Sequence, residues 1–236
     1  MQSLSIIIPT YNEEDYLPLL LSSIEHQTLR PLEVIVADAH SEDRTREIAK
    51  NYGARVVKGG MPGPGRNRGA QVANGDILLF LDADVILKSP TFLDDCVFEM
   101  QERHLDIATP DVSPMSSGFL DRIGHAGYNW YVRRMLFIRP HALGFCTFVT
   151  HELHEKIGGY DETVLFAEDN DYGYRANKIG KFGYLSRGIP TSTRRLERDG
   201  HIRIAIKYIL AEFYIILFGP IKNNLFNYTF GYKKKD

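Results

Sequence analysis

Marked out as apolar and polar positions, the first half of the chain alternates short apolar runs with stretches that repeat at helical spacing. Leu4–Pro9 is a continuous β-branched run, the pattern of a strand buried on both faces. Asn12–Gln27 places Tyr16, Leu17, Leu20, Leu21 and Ile24 at helical spacing. Glu33–Asp38 (EVIVAD) reads as a second buried strand and Glu42–Tyr52 as a charged surface helix. Ala54–Lys58 (ARVVK) is a third strand; the Gly/Pro loop GGMPGPG leads into a helix around Arg66–Asn74. Ile77–Leu81 (ILLFL) is a fourth strand and runs straight into Asp82-Ala83-Asp84.

Further on, Ser89–Gln101 reads as a helix and Ile107–Pro110 as a strand. Residues 111–150 fit no single period: HAGYNWYVRRMLFIRPHALGF is aromatic and basic, open to a helix, a lid or a membrane-facing loop. AEDNDYGYRANKIG reads as a helix starting at its acidic residues, Phe182–Ser186 as a late strand, and Ile202–Phe218 as a helix stopped by Gly219-Pro220.

Strands alternating with helices through short connections predict parallel βαβ units with right-handed crossovers. In such sheets ligands bind outside the carboxyl ends of the strands. Those ends carry Pro9-Thr10-Tyr11-Asn12-Glu13, Asp38, and Asp82 with Asp84, so acidic residues converge on one edge of one sheet.

Composition adds limits. The chain has 236 residues, 44% hydrophobic and 25% charged, ordinary values for a globular α/β protein. A net charge of −2 gives nucleic-acid binding no support. The charge is uneven: residues 175–236 hold 13 Lys+Arg against 4 Asp+Glu. A basic C-terminal quarter suits phosphates or an anionic membrane surface, or is a solvated helix and tail. Cys96 and Cys146 match no zinc or redox spacing and read as buried, reduced thiols. MQSLSIIIPTYNEE lacks a basic leader and is broken by Pro9, so it reads as a strand and not a signal peptide. The expected location is cytoplasmic, peripheral on the inner face of the membrane.

Asp82 and Asp84, two positions apart just past a buried strand, suit a shared hard cation such as Mg2+ or Mn2+ with sites left for phosphate oxygens. Asp38 fits either a carboxylate that accepts from a base or ribose, or an Asx-turn at a strand–helix junction; Ser41 or Asp43 is the candidate cap. Gly59–Gly69 (GGMPGPGRNRG) is neither a P-loop nor G-x-G-x-x-G, which disfavours a dehydrogenase. Arg66 and Arg68 stand where loop turns to helix, with Arg66 the better candidate for a phosphate or base contact. Glu168-Asp169-x-Asp171 is a second acidic cluster: a general base, or acids that favour a helix N-terminus.

Taken together, SIIIPTYNEEDYLPLLLSSI, VIVADAHSEDRT, GRNRGAQVANGDILLFLDADV and GGYDETVLFAEDNDYGYRANKIG, in this order, resemble the family 2 glycosyltransferases. The resemblance covers most of the chain and implies the GT-A fold, a Rossmann-like three-layer α/β sandwich on a mostly parallel sheet. It implies inverting transfer of a sugar from a nucleotide diphosphate sugar to an acceptor hydroxyl, with Mg2+ or Mn2+. By that resemblance Pro9, Tyr11 and Glu13 line the nucleotide pocket, Asp38 holds the base and Arg66 touches the nucleotide. Asp82 and Asp84 form the DxD motif at ribose and metal, Asp169 is the catalytic base, and Glu168 lies in the acceptor site. DAHSED departs from the commoner Asp-Asp-Gly-Ser pattern. The Q-x-x-R-W segment of processive synthases is absent, so single transfer is expected over polymerisation. Thr193–Arg198, with Arg194 and Arg195, is placed to close over a diphosphate, and His201 is a candidate further ligand. A nucleotidyltransferase is the runner-up, disfavoured because PTYNEED follows the first strand where a Gly-rich, Lys-containing loop belongs. A non-catalytic sugar-binding protein is the third reading.

The expected organisation is a transferase domain over 1–200, with a nucleotide-binding half to about 110 and an acceptor half over 111–200. Residues 201–236 add an amphipathic helix and basic tail. The helix over 202–218 would be roughly 25 Å long, and Arg203, Lys207 and Glu212 fall near one stripe, which argues against a simple transmembrane span. Two readings stand: a helix lying on a membrane beside Lys233–Lys235, suited to a lipid-linked acceptor, or a helix packed on the domain or at a homodimer interface.

Overall fold

β1 (Leu4–Thr10) is buried along its whole length and forms the spine of the sheet. Its neighbours are β2 (Glu33–Asp38) on one side and β4 (Ile77–Leu81) on the other, both parallel, with β3 (Arg55–Lys58) parallel beyond β2. The computed structural model describes residues 2–114, 118–136, 138–191, 201–223 and 225, without the side chains of 114, 120, 191 and 201–205. Thr193–Arg198, the His201 and Arg203 side chains, and Lys233–Lys235 lie outside the described residues.

Helices cover both faces. α1 (Leu17–Glu25), α2 (Thr45–Asn51) and α4 (Phe92–Glu102) share one apolar core with Ile6 and Ile8. α3 (Pro62–Ala70), α5 (Phe119–Met135), α6 (His151–Lys156) and α7 (Glu168–Asn177) meet Ile7, Ile35 and Phe80 in a second core. Alternate β1 residues thus point to opposite layers, as a sheet buried on both faces requires. Strand order is β3-β2-β1-β4-β6-β5-β7, with β5 spanning Ile107–Pro114, β6 Cys146–Thr150 and β7 Phe182–Thr191. β6 runs antiparallel between β4 and β5, and β7 pairs parallel with β5. The sheet is mostly parallel, and helices on both faces make three layers, both as expected.

Several boundaries differ from the sequence expectation. α1 begins at Leu17 rather than Asn12, because Pro18 is tolerated only in a first turn. α3 begins at Pro62, inside the Gly/Pro stretch expected to be a loop, and stops at Ala70 rather than Asn74. Its prolines sit where the helix has no use for their N–H groups. Gly69 lets α3 close on the sheet: a Cβ there would lie 2.3 Å from Ile7 Cγ2. α2 starts at Thr45, three residues later than expected, since Asp43 Oδ1 accepts from the Thr45 N–H at 2.9 Å and so ends a turn there. The stretch 111–150 resolves into the end of β5, α5 and β6. Cys96 and Cys146 are free and buried, as expected.

The last helix, α8 (His201–Phe218), packs Ala211 and Ile215 against Phe166 and Ile221. Among the described residues, no helix is long and apolar enough to cross a membrane.

Candidate active site

The carboxyl ends of β1, β2 and β4 open on one edge, and the loops beyond them are laced together. After β1 the backbone turns at Asn12, which has a positive φ of 55° that Asn accepts more readily than most residues. The Asn12 N–H donates to Ser41 Oγ at 2.9 Å and the Glu13 N–H to Thr45 Oγ1 at 2.8 Å. Pro9 and Glu13 are buried here and Tyr11 is half-buried. Asp38, 4% exposed, accepts from Ser41 N–H at 3.0 Å, from Ser41 Oγ at 2.5 Å and from Thr10 Oγ1 at 3.3 Å. The Asx-turn at that strand end therefore exists, with Arg46 Nε 3.7 Å from the same carboxylate.

The second centre is Arg66. Sequence alone put it where loop becomes helix; it lies instead in the second turn of α3, with only 2% of its side chain exposed. Nη2 donates to Asp82 Oδ1 at 2.9 Å and to the Gly144 carbonyl at 2.7 Å, and Nη1 donates to Glu168 Oε1 at 2.8 Å. Its guanidinium carbon stands 5.3 Å from the centre of the Tyr160 ring, which in turn stacks on Tyr172 at 4.0 Å. Arg68, the other candidate, turns away and donates to the Gly59 carbonyl.

Asp169 neighbours this hub. Its Oδ2 accepts from the Gly144 N–H at 2.9 Å and its Oδ1 from the Asn170 N–H at 2.9 Å. Gly144 therefore serves both charges, its carbonyl on Arg66 and its N–H on Asp169. A Cβ on Gly144 would come within 2.8 Å of Asp169 Oδ2 and 3.3 Å of Arg66 Nη2. The acidic pair is set by Ala167, whose φ of 56° turns the chain into α7. Asp171 points elsewhere and pairs with Arg175 at 2.7 Å, so it supports the helix and not the site.

Burial, with Glu168 as a like charge, lifts the Asp169 carboxyl from 3.8 to about 6, while Arg66 and the two N–H donors pull it down. Burial and the charges of Asp84 and Glu168 also lift Asp82, against the pull of Arg66. Asp82 keeps 37% of its side chain accessible, so solvent screens part of that rise. Excess negative charge around a single buried cation is the electrostatic signature of the site; Arg66 is accordingly held charged.

The structure thus brings Arg66, Asp82, Glu168 and Asp169 together directly, with Asp84 in electrostatic reach of Asp82. Pro9, Tyr11, Glu13 and Asp38 lie along the same edge, with β1 between β2 and β4. At the usual strand spacing, the ends of β2 and β4 are about 10 Å apart. Sequence reasoning missed Gly144 and Tyr160. Tyr160 sat inside the quoted GGYDE segment, whereas Gly144 had no local signal beyond preceding an apolar run.

A mostly parallel sheet with an antiparallel β6 beside β4, covered on both faces and acidic at its carboxyl edge, is a GT-A glycosyltransferase fold. A mannosyltransferase of Pyrobaculum calidifontis, in complex with GDP-Man and Mn2+, has the same fold. The TM-score is 0.67 at 19% identity over 92% of this chain and 64% of that one. Residues 5–155 match the model of glycosyl transferase family 2, and the chain belongs to that family. A PGL/p-HBAD biosynthesis glycosyltransferase of Mycobacterium bovis is 31% identical over 221 residues, 80% of this chain and 85% of that protein. A 4,4'-diaponeurosporenoate glycosyltransferase of Staphylococcus haemolyticus is 43% identical over 97 residues, but the chain spans only 26% of its length.

Proposed function

We propose that the chain is an inverting glycosyltransferase that moves a sugar from a nucleotide diphosphate sugar to an acceptor hydroxyl, assisted by Mg2+ or Mn2+. The observation that carries this reading is the buried guanidinium of Arg66, which joins Asp82 at the end of β4 to Glu168 beside Asp169. A strand end suited to a diphosphate and a carboxyl suited to a proton thereby share one pocket edge.

In this reading the nucleotide lies across the strand ends. Asp38 receives the base, Pro9, Tyr11 and Glu13 wall the pocket, and Asp82 meets the ribose. Arg66 acts from beneath, holding Asp82 in place rather than reaching the nucleotide through solvent. Asp82 and Asp84 fit a hard cation by donor type and by the accessible part of Asp82. Among the described residues no group of three or more His, Cys, Asp or Glu could enclose a metal ion. Mg2+ is commonly held by one or two carboxylates together with substrate phosphates. When bound, such an ion offsets charge on the departing diphosphate.

Asp169 accepts the acceptor's hydroxyl proton as that oxygen bonds to the anomeric carbon. The bond from that carbon to the diphosphate oxygen breaks with its electron pair, and one displacement inverts the centre. A carboxyl lifted to about 6 is a stronger base than a free Asp yet is still ionised at neutral pH. Glu168 borders the acceptor. The acceptor itself is lipid-linked and is met where residues 202–218 rest on the inner face of a membrane.

The test is calorimetric titration of uridine and guanosine diphosphates with Mn2+. Tight binding is expected in the wild type. Asp84→Ala or EDTA should each weaken it by at least the roughly tenfold to hundredfold that losing an outer-shell metal partner costs. Unchanged affinity under both treatments removes the metal from the reading.

A further inference from the structure

α8 is amphipathic the wrong way round for a helix in water. Two of its charged side chains, those of Lys207 and Glu212, face the protein: Lys207 sits 5.2 Å over the Phe166 ring, and Glu212 bonds His141 Nε2 at 3.3 Å. The opposite face carries Ile206, Ile209, Leu210, Phe213, Ile216 and Leu217, from 52% exposed at Ile206 to 70% at Leu217. Positions spaced by three and four residues form one stripe, and no charged residue interrupts it. Contiguous apolar surface of this kind marks an interaction site.

α5 presents a second such face. Phe119, Ile123 and Trp130 share one side and are each more than half exposed. Arg122 and Arg134 are exposed on either flank, and Arg134 lies 5.6 Å over the Trp130 ring. The helices meet at His141, where the Tyr131 ring packs edge-on at 5.6 Å and Glu212 bonds the imidazole. They also border the catalytic carboxyl, since Tyr128 of α5 is in electrostatic reach of both Asp169 and Tyr208.

We propose that α5 and α8 together form a docking surface for an anionic lipid bilayer, on which the chain lies without crossing. Aromatic and aliphatic side chains on one face with arginines at its edges is the composition of a helix seated among headgroups. Anionic headgroups answer Arg122 and Arg134. A second copy does not: neither helix carries an exposed carboxylate, so pairing like faces would leave those arginines unmatched. The surface stands on its own observations; that it delivers a lipid-linked acceptor rests on the function proposed above.

The experiment is flotation of the full chain with vesicles of phosphatidylcholine alone, and of phosphatidylcholine with about 30 mol% phosphatidylglycerol. Expected is binding to the anionic vesicles, at least tenfold weaker on neutral ones, with each arginine worth about fivefold. Arg122→Glu with Arg134→Glu should abolish the preference for anionic vesicles. Phe213→Glu with Leu217→Glu should cut binding by more than about a hundredfold. Thermal melting reports that both variants fold. The proposal is overturned if the wild type stays unbound, or if folded variants bind as the wild type does. It is also overturned if sedimentation finds a dimer that Phe213→Glu with Leu217→Glu dissolves and vesicles do not displace. Vesicle binding without diphosphate binding would sink the proposed function and leave the docking surface standing.

Discussion

The edge formed by β1 to β4 and the edge formed by Gly144 with the start of α7 are built by different means. In the first, each functional position ends a strand of a regular βαβ succession, and loops adjoining in the sheet bond to each other, as Asn12 does to Ser41. In the second, the decisive contacts join residues far apart in the chain: Arg66 reaches Glu168 and the Gly144 carbonyl, and Gly144 reaches Asp169. The first edge is a shape that many sequences can reach. The second is a charge balance around one cation, in which Asp82, Glu168 and the Gly144 carbonyl all bond Arg66.

That contrast is broken most severely at Arg66. Arg66→Leu leaves Asp82, Glu168 and Asp169 crowded without their cation, and removing one partner of a buried pair typically costs about 3–5 kcal/mol. Denaturant unfolding at neutral pH should show a loss of that order, partly recovered near pH 5 as the carboxyls protonate. A change under about 1 kcal/mol would mean that the hub is not what holds the second edge.

Next in size is Asp169→Asn, expected to cut transfer by roughly a thousandfold while diphosphate affinity survives at the first edge. Full turnover would remove Asp169 from the mechanism. In the wild type, kcat/KM should rise with pH through about 6, as Asp169 sheds its proton. Stability runs the other way. A carboxyl raised from 3.8 to about 6 by folding contributes stability that is fully present below 3.8 and is lost as pH rises through 6. That contribution runs against the activity profile and should be missing from Asp169→Asn; an unfolding free energy with the same pH dependence in wild type and variant would contradict the assignment.

The same contrast explains what could be read from the sequence. β4 (ILLFL) has the expected bounds because a fully buried parallel strand is a continuous apolar run, and Asp82 and Asp84 follow it. The strand ends carrying Asp38 and Glu13 were legible for the same reason. β6 was not assigned: it is CTFVT, short and preceded by an irregular loop, and its antiparallel place between β4 and β5 is set by pairing across the sheet. Arg66 was singled out, yet its burial was not foreseen, because α3 is rich in Gly and Pro and carries little helical pattern, while Gly69 lets it close on Ile7. Gly144 was invisible because its role comes from two side chains that reach it from other parts of the chain.

Gly144→Ala probes that invisible residue. Its new methyl would press on the Asp169 carboxylate and on Arg66, and displacing a reacting group by about 1 Å costs on the order of a hundredfold. Transfer should fall by about tenfold to a hundredfold, with diphosphate affinity within about twofold of wild type, as for any site outside the first edge. Equal losses in both would merge the two edges into one unit.

The smallest effect is expected at Ala167, and it asks whether strain is part of the second edge. Asn12 and His40 turn the first edge with positive φ, at 55° and 63°, and their polar side chains tolerate that region. Ala167 has no such excuse at 56° and stands directly before Glu168 and Asp169. Ala167→Gly removes a backbone penalty of about 1 kcal/mol but adds freedom to the unfolded chain, so stability should change by less than about 1 kcal/mol. The same freedom loosens the turn that aims Asp169, and transfer should fall a few-fold while diphosphate binding holds. Strain kept at a working position is worthwhile only if relaxing it costs function. A glycine variant with full activity would mean that Ala167 merely tolerates its conformation, and that Gly144 and Arg66 alone position the base.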